Sequence, residues 1–256
     1  MSRPIIDVHS HIGQTVTNGV GQGVEDWLAG MDKAGIAQAL ISVAAGGIQA
    51  EGLADTRRAN EAIANAVREH PHRFPVGLAG IEVRHGQAGL AEVKRAREEL
   101  GLKGLVFHPT FEGFGVDSTM FHSLLEALGT ERSLVMVHAT TDGRGNPTAI
   151  AAVASRFPHL QFLLGHPVFT QQQREQCVVA VAANANILLD LAYQSDPAIT
   201  EFFVGEVGAD RILFGSDAPY FDPGAVIASI EAASIKESDR ELIFHGNAER
   251  LIDSLA

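Results

Sequence analysis

Eight short, nearly all-apolar runs recur along the chain, and a longer amphipathic segment follows each one. The runs are 5–8 (IIDV), 39–43 (ALISV), 74–81 (FPVGLAGI), 104–107 (GLVF), 134–138 (LVMVH), 160–164 (LQFLL), 187–192 (ILLDLA) and 211–215 (RILFG). Runs of this length without polar alternation fit parallel strands buried on both faces. The intervening segments carry helical spacing and helical punctuation. Trp27, Leu28 and Met31 share one face of a helix predicted over 25–35; a second, over 56–69, stops before Pro71. Further helices are predicted over 88–100, 118–128, 147–157, 171–183, 197–207, 223–233 and 248–255. Eight strand–helix repeats in 256 residues suit a (β/α)8 TIM barrel of the α/β class, folded as a single domain over residues 1–256. A doubly wound open sheet is the rival, but no G-x-G-x-x-G follows the first strand, so a dinucleotide site is not supported.

In such a barrel, reactive groups stand where strands end and the following loops begin. The first strand runs into Asp7-Val8-His9-Ser10-His11, the fourth into His108-Pro109, the fifth into His138, the sixth into Gly165-His166-Pro167 and the eighth into Gly215-Ser216-Asp217. Strand residues two apart point the same way, about 6.5–7 Å apart, so His9 and His11 can converge on one ion. His138 and Asp217 add a third imidazole and a carboxylate, a set that leaves room for water or substrate. A lone H-x-H occurs by chance in many proteins; the collection on one rim is what carries the signal. Asp7 is expected to be a buried hydrogen-bonding partner and not a ligand.

Bulk properties narrow the partners. The net charge of −12 repels phosphate backbones and no Lys/Arg cluster offsets it, so nucleic acid is excluded as a partner. No apolar run approaches the roughly 20 residues that span a bilayer, and the N-terminus (MSRPIIDVHSHI) lacks the apolar core of a secretory signal, which makes the cytoplasm the expected location. The single cysteine, Cys177, rules out an internal disulfide and a Cys-rich zinc site. A homo-oligomer is left open.

Taken in order, IIDVHSHI, VMVHA, FLLGHP, RILFGSDAP and GNAERLI resemble the amidohydrolase-related group of the metal-dependent hydrolase superfamily, from Ile5 to Ile252. The resemblance implies a distorted barrel with a divalent metal, usually zinc. It assigns His9, His11, His138 and Asp217 as ligands, Asp217 also as proton shuttle, and His166 as the residue facing substrate or activated water. Asn247 falls in its closing G-N-A-x-R motif, with a structural role. Two-metal members carry a lysine at the end of the fourth strand; here Lys103 stands at that strand's start, about 16 Å from the rim at about 3.3 Å per residue, so one metal is expected.

A zinc-bound water near neutral pKa points to hydrolysis of an amide, lactone or ester in a small-molecule substrate. His108, Thr110, Asp142, Arg144, Tyr193, Tyr220 and Asp222 are candidates for contacting it, with Arg144 a partner for a substrate carboxylate. Non-oxidative decarboxylation is the alternative; relatives that perform it tend to be longer, and 256 residues leave little room for inserted loops, so hydrolysis is expected. A phosphoesterase of a related histidine-rich barrel is less well supported, because Asp217 is followed by Ala218-Pro219. A metal-binding protein without turnover is the non-enzymatic reading.

Overall fold

The computed structural model describes residues 4–15, 19–44 and 50–256. Its strands are β1 (Ile6–Gln14), β2 (Gly21–Gln22), β3 (Gln38–Val43), β4 (Gly77–Gly80), β5 (Gly104–Phe107), β6 (Leu134–His138), β7 (Gln161–Gly165), β8 (Ile187–Asp190) and β9 (Ile212–Leu213). They form one sheet in the order β2-β1-β3-β4-β5-β6-β7-β8-β9. β2 is antiparallel to β1; every other neighbouring pair is parallel. Beyond β9 the chain reaches back to the first strand. Phe214 O accepts from Val8 N at 3.0 Å, His9 O from Asp217 N at 2.8 Å and Ala218 O from His11 N at 2.8 Å. The two ends of the curled sheet are thus joined by backbone hydrogen bonds.

Helices return the chain between strands, and their ends follow local chemistry. Pro147–Ala154, Pro197–Val207 and Pro223–Ala232 each open on proline behind a capping side chain, Asn146, Asp196 or Asp222. Val24–Ala34 buries Trp27 and Met31 and ends on Gly35, whose φ of 73° needs no Cβ accommodation. The strand interiors are buried apolar residues, and Phe107, Phe114 and Phe121 pack edge-on beside β5. No helix among the described residues is long and apolar enough to cross a membrane.

Three spans differ from expectation for physical reasons. β1 continues six residues past the predicted 5–8, because buried His9, Ser10 and His11 interrupt the apolar signal while the pairing with β3 resumes at Ser10 after a register shift between Asp7 and Ser10. The predicted 74–81 strand contracts to Gly77–Gly80; Phe74 is buried, but its amide donates to His70 O at the end of the preceding helix. The predicted 211–215 strand contracts to two residues, since the segment after it bends through Asp217 at φ 62°. Short helices Pro109–Glu112 and Glu237–Glu241, in loops, were not expected from the periodicity.

Candidate metal centre and its cavity

The four predicted ligands meet. His9 and His11 project from β1 with Ser10 between them, His138 closes β6, and Asp217 follows β9. Their ligand atoms all lie within 4.8 Å of one another, and all four residues are buried. His9 Nε2 is 3.0 Å from His138 Nε2, and His138 Nε2 is 3.3 Å from His11 Nε2. Asp217 Oδ1 stands 3.0 Å from His11 Nε2, 3.3 Å from His9 Nε2 and 4.0 Å from His138 Nε2. Ligand atoms held about 2.0–2.2 Å from one ion lie roughly 2.8–3.6 Å apart when adjacent, so these spacings fit a single cation.

The outer nitrogens decide what the inner ones can be. His138 Nδ1 faces Phe107 O at 3.0 Å, and His11 Nδ1 faces Val43 O at 3.0 Å. A carbonyl only accepts, so each Nδ1 carries the proton and each neutral ring turns a bare Nε2 inward. His9 Nδ1 is held 2.7 Å from Asp190 Oδ2. Three imidazole lone pairs and a carboxylate oxygen therefore converge with no donor among them. Only positive charge satisfies that set. The electrostatics agree: burial pushes His9 down, but the Asp190 and Asp217 carboxylates outweigh it and raise the imidazolium to about 10. Burial, then the neighbouring histidines, hold His138 well below its ordinary value. At Asp217 burial opposes ionisation, yet His9 and His11 win and hold it well below the usual carboxylate range. A metal ion takes the place of the proton that His9 otherwise keeps.

Two acids outside the cluster support it. Asp190, at the end of β8, accepts from His9 Nδ1, from His166 N at 2.8 Å and from Ala192 N at 3.0 Å. Asp7 ties the first strand to the last, accepting from His9 N at 2.9 Å and from Ser216 N at 3.1 Å and Ser216 Oγ at 2.5 Å. Asp7 is a hydrogen-bonding residue, as anticipated; Asp190 was not anticipated. Its signal was present, a carboxylate in the otherwise apolar run ILLDLA.

A cavity of about 380 Å³ opens over the cluster, lined by His138 and Asp217 at its base. Its walls include His166 and His108, each kept neutral chiefly by burial, His108 being pushed down to about 3. His166 Nδ1 is buried with no hydrogen-bond partner. Phe111, Phe169 and Tyr193 complete the walls with Tyr220, whose hydroxyl bonds Thr15 Oγ1. Only five large hydrophobics in the described chain are exposed, and three are Phe111, Phe169 and Tyr193. Exposed apolar side chains gathered at one mouth mark a ligand site. Phe111 and Phe169 carry no motif and were not anticipated.

The remaining candidates fall in different places. Thr110 and Asp142 line the cavity. Arg144 does not; its guanidinium is half-exposed and 3.6 Å from Asp142 Oδ2. Asp222 caps the helix after it by accepting from Gly224 N. Lys103 lines a separate cleft with Arg132 and Ala256. Cys177 is buried in Gln171–Ala183, and burial raises its thiol above the ordinary range.

Fold and site together define an α/β protein with a candidate metal centre built from residues at strand ends. The amidohydrolase family model matches residues 6–253, and the chain belongs to that family. Among characterised sequences, the γ-resorcylate decarboxylase of a Polaromonas species is 25% identical over 288 aligned positions, spanning 86% of this chain and 84% of that protein. Among solved structures, 5-carboxyvanillate decarboxylase from Sphingomonas paucimobilis superposes with a TM-score of 0.77 at 18% identity, over 98% of this chain and 99% of that one. A Polaromonas dihydroxybenzoic acid decarboxylase with bound manganese and the inhibitor 2-nitroresorcinol gives 0.77 at 19%, over 98% and 97%. These comparisons overturn the expectation of amide, lactone or ester hydrolysis: the similar sequence is that of a decarboxylase. The relative is indeed longer, since the 288 aligned positions exceed the 256 residues of this chain, so length is no guide to the reaction here.

Proposed function

We propose that this chain is a metal-dependent non-oxidative decarboxylase of a small hydroxylated aromatic carboxylate. The observation that carries the reading is the aromatic collar of Phe111, Phe169, Tyr193 and Tyr220 lining one cavity with His138 and Asp217. A flat ring stacks against such walls while its carboxylate reaches the polar base. The likeness to γ-resorcylate decarboxylase points the same way.

His9, His11, His138 and Asp217 would hold a divalent cation, which would supply positive charge to bind and polarise an anionic substrate. Manganese is the first ion to load, ahead of the zinc suggested by the ligand set, because the Polaromonas structure holds it. Asp217 delivers a proton, drawn from solvent, to the ring carbon that bears the carboxylate. The carbon–carbon bond then breaks, its electron pair returns to the ring, and carbon dioxide leaves. His166, with Nδ1 unpartnered, supplies a hydrogen bond to a substrate oxygen. Asp190 orients both rings, holding His9 by its side chain and His166 through its backbone. The fold that presents these groups is read as the closed (β/α)8 barrel, which the bonds between β1 and residues 214–218 support.

The test is carbon dioxide release from hydroxybenzoates by the manganese-loaded protein. One carbon dioxide per acid consumed is expected for at least one hydroxybenzoate. No release from any of them, with manganese or with zinc, contradicts the reading.

A further inference from the structure

The cavity holds one acid that the metal cluster does not use. Asp142, in the loop after β6, lines it beside Thr110 and Thr140. Its Oδ1 accepts from Thr140 Oγ1 at 2.8 Å and from Arg144 N at 3.0 Å, and its Oδ2 accepts from Thr110 Oγ1 at 2.9 Å. Burial opposes ionisation, but these donors and the nearby Arg144 charge together outweigh it and hold the carboxyl below its ordinary range. Asp142 therefore carries a fixed negative charge at neutral pH. A carboxylate offers about four lone-pair sites; three donors leave it able to accept one more.

Among the described residues, no lysine or arginine balances that charge inside the cavity. Of the residues outside that description, 16–18 (VTN) and 45–49 (AGGIQ) contain no Lys or Arg, and 1–3 (MSR) contain Arg3. Burial keeps His108, His138 and His166 toward their neutral forms. The guanidinium of Arg144 is beside Asp142 but outside the lining. A divalent ion would be offset by Asp217 beside it and further by Asp190 behind His9, leaving at most about one positive charge, no more than one substrate carboxylate needs. A second carboxylate on the ring would find no counter-charge and would meet Asp142. A hydroxyl or amino group there would donate to it instead.

We infer that Asp142 sets substrate choice, selecting an aromatic monocarboxylate with a hydrogen-bond donor on the ring and rejecting ring dicarboxylates. The inference rests on the cavity being an aromatic carboxylate site.

Binding and turnover of a matched series test it. The manganese-loaded protein is titrated by calorimetry with salicylates bearing hydroxyl, hydrogen or carboxylate para or meta to the first carboxylate. The hydroxyl-bearing acid binds at least about tenfold tighter than its dicarboxylate counterpart, the scale of one like-charge encounter in a partly screened site. Asp142→Asn narrows that gap to about threefold or less, by the same loss of charge. Arg144→Gln, which strips partial neutralisation from Asp142, widens it and keeps the test alive if the Asp142 variant does not fold. Equal binding of the dicarboxylate, or a gap unchanged by Asp142→Asn, overturns the inference. So does a dicarboxylate preference that Arg144→Gln abolishes, which would make Arg144 the carboxylate partner. Discrimination in binding without carbon dioxide release leaves Asp142 as the selector and removes the decarboxylase reading. Release without discrimination does the reverse.

Discussion

At the scale of single residues, the candidate site is braced by groups outside the ligand cluster. Asp190 fixes the tautomer and angle of His9 while anchoring the backbone of His166. Partners of this kind are worth about 10- to 100-fold in metal affinity. Asp190→Asn is therefore expected to weaken manganese binding by about that factor, measured by competition with a chelator, and unchanged affinity would make Asp190 a packing residue only. Glu112 offers a pH signature nearby. Its Oε1 accepts from His108 N, its Oε2 is sealed off without a partner, and burial raises the carboxyl to about 8, with the Glu82 charge adding to it. At acid pH, folded and unfolded chains both hold the proton. As pH rises from the ordinary glutamate range toward 8, only the unfolded chain releases it, so this group lowers stability across that window. Glu112→Gln should flatten the slope and raise the unfolding free energy by roughly 1–3 kcal/mol at pH 8, read from urea unfolding at several pH values. The clustering of the candidate ligands is legible because they stand at strand ends on one rim. Asp190 escapes that pattern because a lone carboxylate in an apolar strand carries no motif, and Phe111 and Phe169 because aromatic residues in loops carry no periodicity.

At the scale of elements, the strands make room for the cluster by withholding side chains. A Cβ on Gly165 would lie 2.8 Å from His9 Cε1, and one on Gly215 would lie 2.8 Å from His9 Cβ. The residues just beyond β7, β8 and β9 turn through positive φ: His166 at 39°, Tyr193 at 63° and Asp217 at 62°. Strained backbone of this kind gathers at functional sites and persists where the surroundings over-determine it. Gly165→Ala should push His9 aside and weaken metal binding about tenfold or more while costing about 1–3 kcal/mol of stability, the usual range for overpacking. Titration of the variant with manganese, alongside its circular dichroism, separates the two effects; native affinity would mean that His9 has slack the close approach denies. Most element types could be read from pattern. What pattern missed was extent: β1 runs on because its buried polar residues hide the strand, and β9 stops early because Asp217 bends the chain.

At the scale of the molecule, eight apolar repeats were enough to anticipate the fold class, and an ordered set of strand-end motifs the family. The reaction was not legible, because hydrolysis and decarboxylation in this superfamily draw on the same ligand set. The aromatic walls on which the proposed reaction rests come from loops after β5, β7, β8 and β9, far apart in sequence. Candidate ligands drawn from β1, β6 and the segment after β9 would also tie a bound metal to global stability. Manganese at about 100 times its dissociation constant should add about 2.7 kcal/mol, an increase of roughly 5–10 °C in the unfolding midpoint for a chain of this size. Scanning calorimetry with and without chelator checks it, and an unmoved midpoint would mean the ion does not bind the folded state. The central claim is that this site exchanges a carboxylate for a proton on an aromatic ring. Its most direct measurement is turnover of γ-resorcylate in D2O by the manganese-loaded protein. The account predicts resorcinol carrying one deuterium at the carbon that bore the carboxylate, one carbon dioxide per ring, and loss of both with Asp217→Asn. Unchanged γ-resorcylate and no carbon dioxide from the metal-loaded protein would contradict it.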